Sequence, residues 1–207
     1  MSVKSMVFRA IAPALEHSRA LTRRLAGCTR GMAAIEFGMV GPIMVFLFIG
    51  SVEFSQAITV SRRVTQVASS TADLVSRQST VTTAQITGYT QIVSKLMDPY
   101  NSTNLQLTIV SVYATAADTT GASPKVCWSQ VFQGGTSYAG GSAYSGLPSG
   151  LLTGGTSIIV AEVSYLYVGP IFNLFIGSAG MTFTEKFYLK PRLSAEVTRG
   201  TTDHCLS

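Results

Sequence analysis

Charge is what this sequence has least of. Only 12% of its 207 residues are Asp, Glu, Lys or Arg, about half the usual share. It has two histidines, three cysteines and one tryptophan. His17 and His204 lie at opposite ends, so no sequence-local histidine pair exists to hold a metal or to serve as a catalytic base. No CxxC, HExxH, GxSxG or GxxxxGK[ST] pattern occurs. The acids beyond residue 104 (Glu162, Glu185 and Glu196 among them) are scattered over different segments, not paired. The run Asp203-His204-Cys205 suggests a thiol site on paper, but three adjacent residues of this kind are usually just a tail. The glycine-rich stretch 133–156 contains no lysine and leads into no helical pattern, so it is not a phosphate loop. These absences argue against an enzyme, and nothing in the sequence calls for a cofactor or a metal.

Nucleic-acid binding is excluded by where the positive charge sits. The net charge is +5. Residues 1–31 hold Lys4, Arg9, Arg19, Arg23, Arg24 and Arg30 against Glu16 alone. Nine basic and nine acidic groups balance over the remainder. A basic arm beside an apolar run points to the cytoplasmic side of a membrane, not to a basic surface for nucleic acid. Arg62 and Arg63, on the far side of that run, weigh slightly against this orientation.

The apolar run is the most distinctive feature present. Phe37 to Val52 is free of formal charge, and only Glu53 and Gln56 interrupt its extension to Val60. About 20 apolar residues cross the hydrocarbon core of a bilayer, so the segment is long enough if Glu53 lies near the far interface. Pro42 removes one helical hydrogen bond, and Gly38 and Gly41 permit close approach of a partner helix. Beyond it, Val60, Val64, Val67, Ala68, Thr71, Leu74 and Val75 recur in steps of three and four, which predicts the same helix continuing to about residue 78. A second helix is expected at 84–97, capped by Thr83 and ended by Asp98-Pro99.

From residue 104 the period changes to two. Strands are predicted at 104–114, 125–132, 157–167 and 181–190. Met181, Phe183, Phe187 and Leu189 share one face of the last. GPIFNLFIGSAG between the last two strands is too short to span a bilayer and reads as a small helix or apolar loop. Residues 133–156 are a Gly/Ser/Tyr loop of a length that is usually functional or disordered. The expected class is α+β: a long N-terminal transmembrane helix continuing into a domain whose small, four-stranded antiparallel sheet packs on that helix. Three parts follow: a basic cytoplasmic leader, 1–31; the transmembrane and amphipathic helix, 32–78; and an exported domain, 79–207. Cys28 falls in the leader. Cys127 and Cys205 fall in the exported part, where one bridge is permitted. Two separate thiols are the alternative, since proximity is not written in the sequence.

Glu36 is the residue with most to explain, because a carboxylate at the edge of a membrane helix is costly without a partner. In the first turn of the helix the dipole would favour it. If the chain is cut after Gly31, the new α-amine of Met32 lies near it, and Glu36 can neutralise the amine of a neighbouring subunit.

A basic leader ending in Gly31, then Met32, then Glu36-Phe37 opening an apolar helix, resembles the prepilin-like proteins. Within that class the blocks AAIEFGMVGPIMVFLFIGSVEFSQA at 33–57, ADLVSR at 72–77, VAEVSYLY at 160–167 and YLKPR at 188–192 resemble the TadE/TadG-like family of tight-adherence (Flp-type) pilus systems. The resemblance implies a minor pilin or pseudopilin that is processed by prepilin peptidase between Gly31 and Met32 and assembled through Glu36 and Phe37. Its implied partners are the inner membrane, other pilins and the pilus assembly machinery, with the N-terminus cytoplasmic and the C-terminal domain periplasmic. It implies no cofactor. The leader is longer than is usual among pilin relatives. Two other readings stay open: an uncleaved single-span envelope scaffold, and a periplasmic binding module released by signal peptidase after Ala57.

Overall fold

The computed structural model describes residues 31–169, 173, 180–201 and 203–206. The basic leader and most of GPIFNLFIGSAG lie outside the described residues. The chain divides into two compact units, one ending at Ser51 and one spanning Val52–Ser207.

Helix α1 runs from Met32–Ser76, 45 residues, with Pro42 inside it. It is long and apolar enough to cross a membrane. Up to Ser51 its large apolar side chains, Phe37, Met39, Leu47 and Phe48 among them, are exposed. From Val52 onward it shows the stripe expected of a helix laid on a core. Glu53, Ala57, Val60, Val64, Val67, Ala68, Thr71, Ala72 and Val75 are buried, in steps of three and four.

Two short elements follow. Strand β1 is Thr80–Val81. Helix α2 is Thr83–Ser94, continued by a 3₁₀ turn, Lys95–Met97. Its N-cap is Thr82, one residue before the expected Thr83. The reason is a capping box: Gln85 N donates to Thr82 Oγ1 at 3.2 Å and Thr82 N donates to Gln85 Oε1 at 2.8 Å, which satisfies two otherwise orphan donors. Only a Gln or Glu three residues on makes that reciprocal pair, and Gln85 stands three after Thr82.

The sheet has four antiparallel strands: β2 (Leu105–Tyr113), β3 (Lys125–Phe132), β4 (Ser157–Tyr167) and β5 (Met181–Leu189). Their order is β3-β2-β4-β5, so β2 and β4 are central. The register sets Ile109 opposite Ala161 and Glu162 opposite Lys186. A bulge between Ser111 and Val112 shifts β3, which lets both Cys127 and Trp128 join the helix-side core. A further pair, β1 with β6 (Thr198–Arg199), is parallel.

On one sheet face, Leu105, Leu107, Val163, Tyr165 and Tyr167 meet Val60, Val64, Val67 and Ala68 of α1. Beside them Ile109, Trp128 and Ile159 meet Val75, Val81, Ile86 of α2 and Val197. The opposite face has its own core: Val110, Val112, Val126, Ile158 and Val160 are covered by Tyr144 and Leu152. Both belong to the 133–156 loop, which is therefore a packed cover. Burial of side chains of this size contributes on the order of 1.5–3 kcal/mol each, enough to order a segment whose composition alone suggests a loose one.

The two edges of the sheet differ. At β3, Val126 N donates to Ser142 O at 2.8 Å and Gly141 N donates to Val126 O at 2.7 Å. Arg199 Nη1 donates to Ser129 O at 2.7 Å. Along β5, the outward backbone groups have no partner among the described residues.

Candidate functional site

Among the described residues, chemistry-bearing side chains gather at several places, each built differently. The first is the start of α1. Gly31 precedes the helix and Met32 is its first residue. Glu36 is the fifth helical residue, beyond the first turn, which contains no acid. The dipole's influence is confined to about that turn, so the first-turn explanation for Glu36 loses most of its force. Glu36 is exposed, and Phe37 is 74% exposed. A carboxylate and a large aromatic side chain are thus both presented outward on an apolar helix.

The second place lies where α1 enters its core stripe. Glu53, the first acid after the uncharged run, is 5% exposed. Its carboxylate lies against Gly169, where any Cβ would overlap Oε1. Nearby, the Tyr167 hydroxyl donates to Gln56 Oε1 at 3.3 Å. Burial, together with the negative charge of Glu53, pushes the Tyr167 phenol above its ordinary value.

The third place is on the outer sheet face. Glu162 Oε1 accepts from Tyr144 Oη at 2.7 Å and from Lys186 Nζ at 2.7 Å, and Oε2 accepts from Tyr138 Oη at 2.9 Å. The two rings meet edge-on with centroids 5.6 Å apart. Burial alone would raise the carboxyl of Glu162, but the three hydrogen bonds outweigh it and hold that carboxyl below its ordinary value. Burial and the same carboxylate push Tyr138 up to about 12 and Tyr144 higher still. A groove of about 240 Å³ opens beside this cluster, lined by Gln106, Thr108, Thr136, Ser164 and Thr184 as well as Glu162 and Lys186. Sequence reading treats Glu162 as one of several scattered acids. The signal for its role was the tyrosine pair, Tyr138 and Tyr144, in a loop with no other aromatic residue.

The C-terminal trio does not converge on a thiol site. Asp203 pairs with Arg199 at 2.7 Å, and His204 Nδ1 lies 3.4 Å from Glu196 Oε1. Cys205 is joined to Cys127 as a disulfide, with Cα atoms 5.8 Å apart. Glu196 Oε2 accepts from the backbone N–H groups of Cys205 and Leu206 at 2.9 and 3.1 Å. Cys127, Glu196 and Cys205 bring three potential ligand atoms within 4.8 Å of one another. With both sulfurs in a disulfide and the carboxylate on backbone donors, the trio is a clasp on the tail and not a donor set for a cation.

The arrangement defines a class: a helix long and apolar enough to cross a membrane, presenting an acid and an aromatic at its start, which continues into a sheet domain. The family model for TadE-like protein matches residues 31–73, a span that runs from the glycine before α1 to the last turn of its core stripe. That segment is thus similar to TadE-like protein, in agreement with the resemblance carried by its residues, and the match does not extend to the sheet. No curated protein and no solved structure matches the chain.

Proposed function

We propose that the protein is a minor pilin or pseudopilin of a tight-adherence (Flp-type) pilus system. In this reading prepilin peptidase cuts between Gly31 and Met32, the helix is inserted in the bacterial inner membrane, and the sheet domain lies in the periplasm. The match of residues 31–73 to the TadE-like protein family model carries the reading, because that span contains the candidate cleavage bond, Glu36-Phe37 and the apolar helix together. The exposed apolar side chains of α1 up to Ser51 support a lipid or partner-helix environment.

The chemistry assigned to Glu36 is charge pairing. Cleavage converts the Met32 amide into a cationic α-amine. In a low-dielectric assembly an unpaired amine and an unpaired carboxylate each oppose packing, whereas a stagger that brings the amine of one subunit to Glu36 of the next neutralises both. Each copy offers one of each, so the pairing repeats along a filament. The implied partners are the peptidase, other pilins and the assembly machinery.

Intact-mass measurement of the protein extracted from membranes tests the reading. A mature chain beginning at Met32 is expected, with Gly31→Ala leaving the longer species. A chain beginning at Met1 overturns processing and favours an uncleaved scaffold. A chain beginning at Ile58 overturns the anchor. Against that last outcome, α1 and its buried stripe run unbroken through Ala57 into Val60 and Val64. Glu36→Ala is expected to insert normally and to impair pilus assembly. Normal pili in that variant remove the role given to Glu36.

A further inference from the structure

The groove beside Glu162 contains a polar group that the fold leaves unused. Thr108 is 1% exposed and lines the groove; its hydroxyl has no hydrogen-bond partner among the described residues and is not among the fully buried atoms, so what little of this residue is accessible faces the groove. Thr108 sits on the outer face of β2, opposite Glu162 on β4 and Val131 on β3. The loop passes over it at Gly135, where any Cβ would overlap Thr108 Oγ1. A residue with a side chain at 135 would close the space above the hydroxyl, so the glycine keeps the groove open at this point.

The rest of the lining has the same character. Gln106, Ser164 and Thr184 also present side-chain donors and acceptors with no partner among the described residues. The one cation, Lys186, and the one anion, Glu162, are paired with each other at 2.7 Å. The groove therefore carries hydroxyls and an amide but no spare charge. The ring of Tyr138 flanks it, held by the bond to Glu162. Its volume of about 240 Å³ is below the range typical of drug-sized ligands.

We propose that this groove binds a single neutral saccharide unit. A pyranose offers hydroxyls that both donate and accept, as the unpaired Thr, Ser and Gln side chains do, and a face of C–H groups to set against the Tyr138 ring. A phosphate or carboxylate ligand would require an excess of positive charge, which the Lys186–Glu162 pair removes. An apolar ligand would leave the hydroxyls of Thr108, Ser164 and Thr184 unpaired and dry, at a cost.

The test is saturation-transfer difference NMR on the full chain in phospholipid nanodiscs, which avoid sugar-headed detergents. The probes are glucose, galactose and N-acetylglucosamine at millimolar concentration, with glycerol and inorganic phosphate alongside. Saturation of the ring protons of at least one sugar is expected, with glycerol and phosphate silent. Thr108→Val keeps the shape and removes the hydroxyl, so it is expected to weaken that binding roughly fivefold. Its thermal stability should not fall, since no bond within the fold is lost. Ser164→Ala, on the neighbouring strand, serves as a second variant and is expected to weaken binding in the same direction. Four results overturn the proposal: no sugar signal, an equal signal from glycerol, a preference for phosphate, or unchanged sugar binding in both variants.

Discussion

Tyr144 donates its hydroxyl to Oε1 of Glu162 at 2.7 Å, tying the glycine-rich cover to a central strand of the sheet. Tyr144 is 3% exposed and packs on Val110, Val112 and Val160, so one side chain provides both an apolar anchor and a polar one. Losing the hydroxyl alone, in Tyr144→Phe, is expected to cost about 1 kcal/mol. Glu162→Ala strands two tyrosines and Lys186 together and is expected to cost about 2–3 kcal/mol. Denaturation followed by the fluorescence of Trp128, the sole tryptophan and 1% exposed, measures both. Equal effects from the two variants count against the cluster acting as a unit.

The same cluster sets a pH dependence at both ends. The Glu162 carboxyl is held below its ordinary value, so the unfolded chain takes up a proton before the folded one does. Its contribution is complete above the ordinary value of 4.5 and is lost as pH falls through the lower folded value. Tyr138 is raised from 10.0 to about 12. Its contribution is complete below 10.0 and is lost as pH rises through about 12. Glu162→Gln is expected to flatten the acid limb of a stability–pH curve and to move the alkaline limb down. An unchanged acid limb assigns the acid sensitivity to other carboxylates.

The Cys127–Cys205 bridge closes a separation of 78 residues and holds the tail on β3. Cys205→Ser is expected to lower stability by roughly 2–4 kcal/mol and to free the segment after Arg199. Non-reducing electrophoresis with thiol labelling checks the bridge itself, and calorimetry checks the magnitude. Free thiol in the folded, membrane-extracted protein contradicts the bridge.

Along α1, burial alone distinguishes two residues six apart. Val64 is fully buried against the sheet, whereas Ile58 is 41% exposed. Val64→Ala is expected to cost about 2 kcal/mol, from two lost carbons and the cavity they leave. Ile58→Ala is expected to cost well under about 1 kcal/mol. Matching losses at the two positions contradict the observed stripe.

These contrasts show what was legible in the sequence. The 3.6-residue stripe of α1 and the alternation in β4 follow from a period imposed by burial on one side, and periods survive in a string of letters. Residues 125–132 and 157–167 were readable as strands to the residue. The pair β1–β6 was not, because two residues carry no period. The second core was half visible: Ile158 and Val160 stood on the face opposite Ile159 and Ala161, yet nothing local announced that Tyr144 and Leu152 would cover them. Long-range closure of this kind depends on where a loop returns, which composition does not encode. The contact of Glu53 with Gly169 was hidden for the same reason, since the two are more than a hundred positions apart. The groove is not legible in the sequence because its lining comes from three strands and a loop, two or three residues from each.

The unlike edges of the sheet have a geometric consequence. At β3 the backbone of Val126 is engaged by Gly141 and Ser142, and Ser129 is held by Arg199. At β5 the outward row is free among the described residues. Among the described residues, β5 is therefore the edge with the longer free row, and an incoming strand would find more backbone donors and acceptors there than along β3.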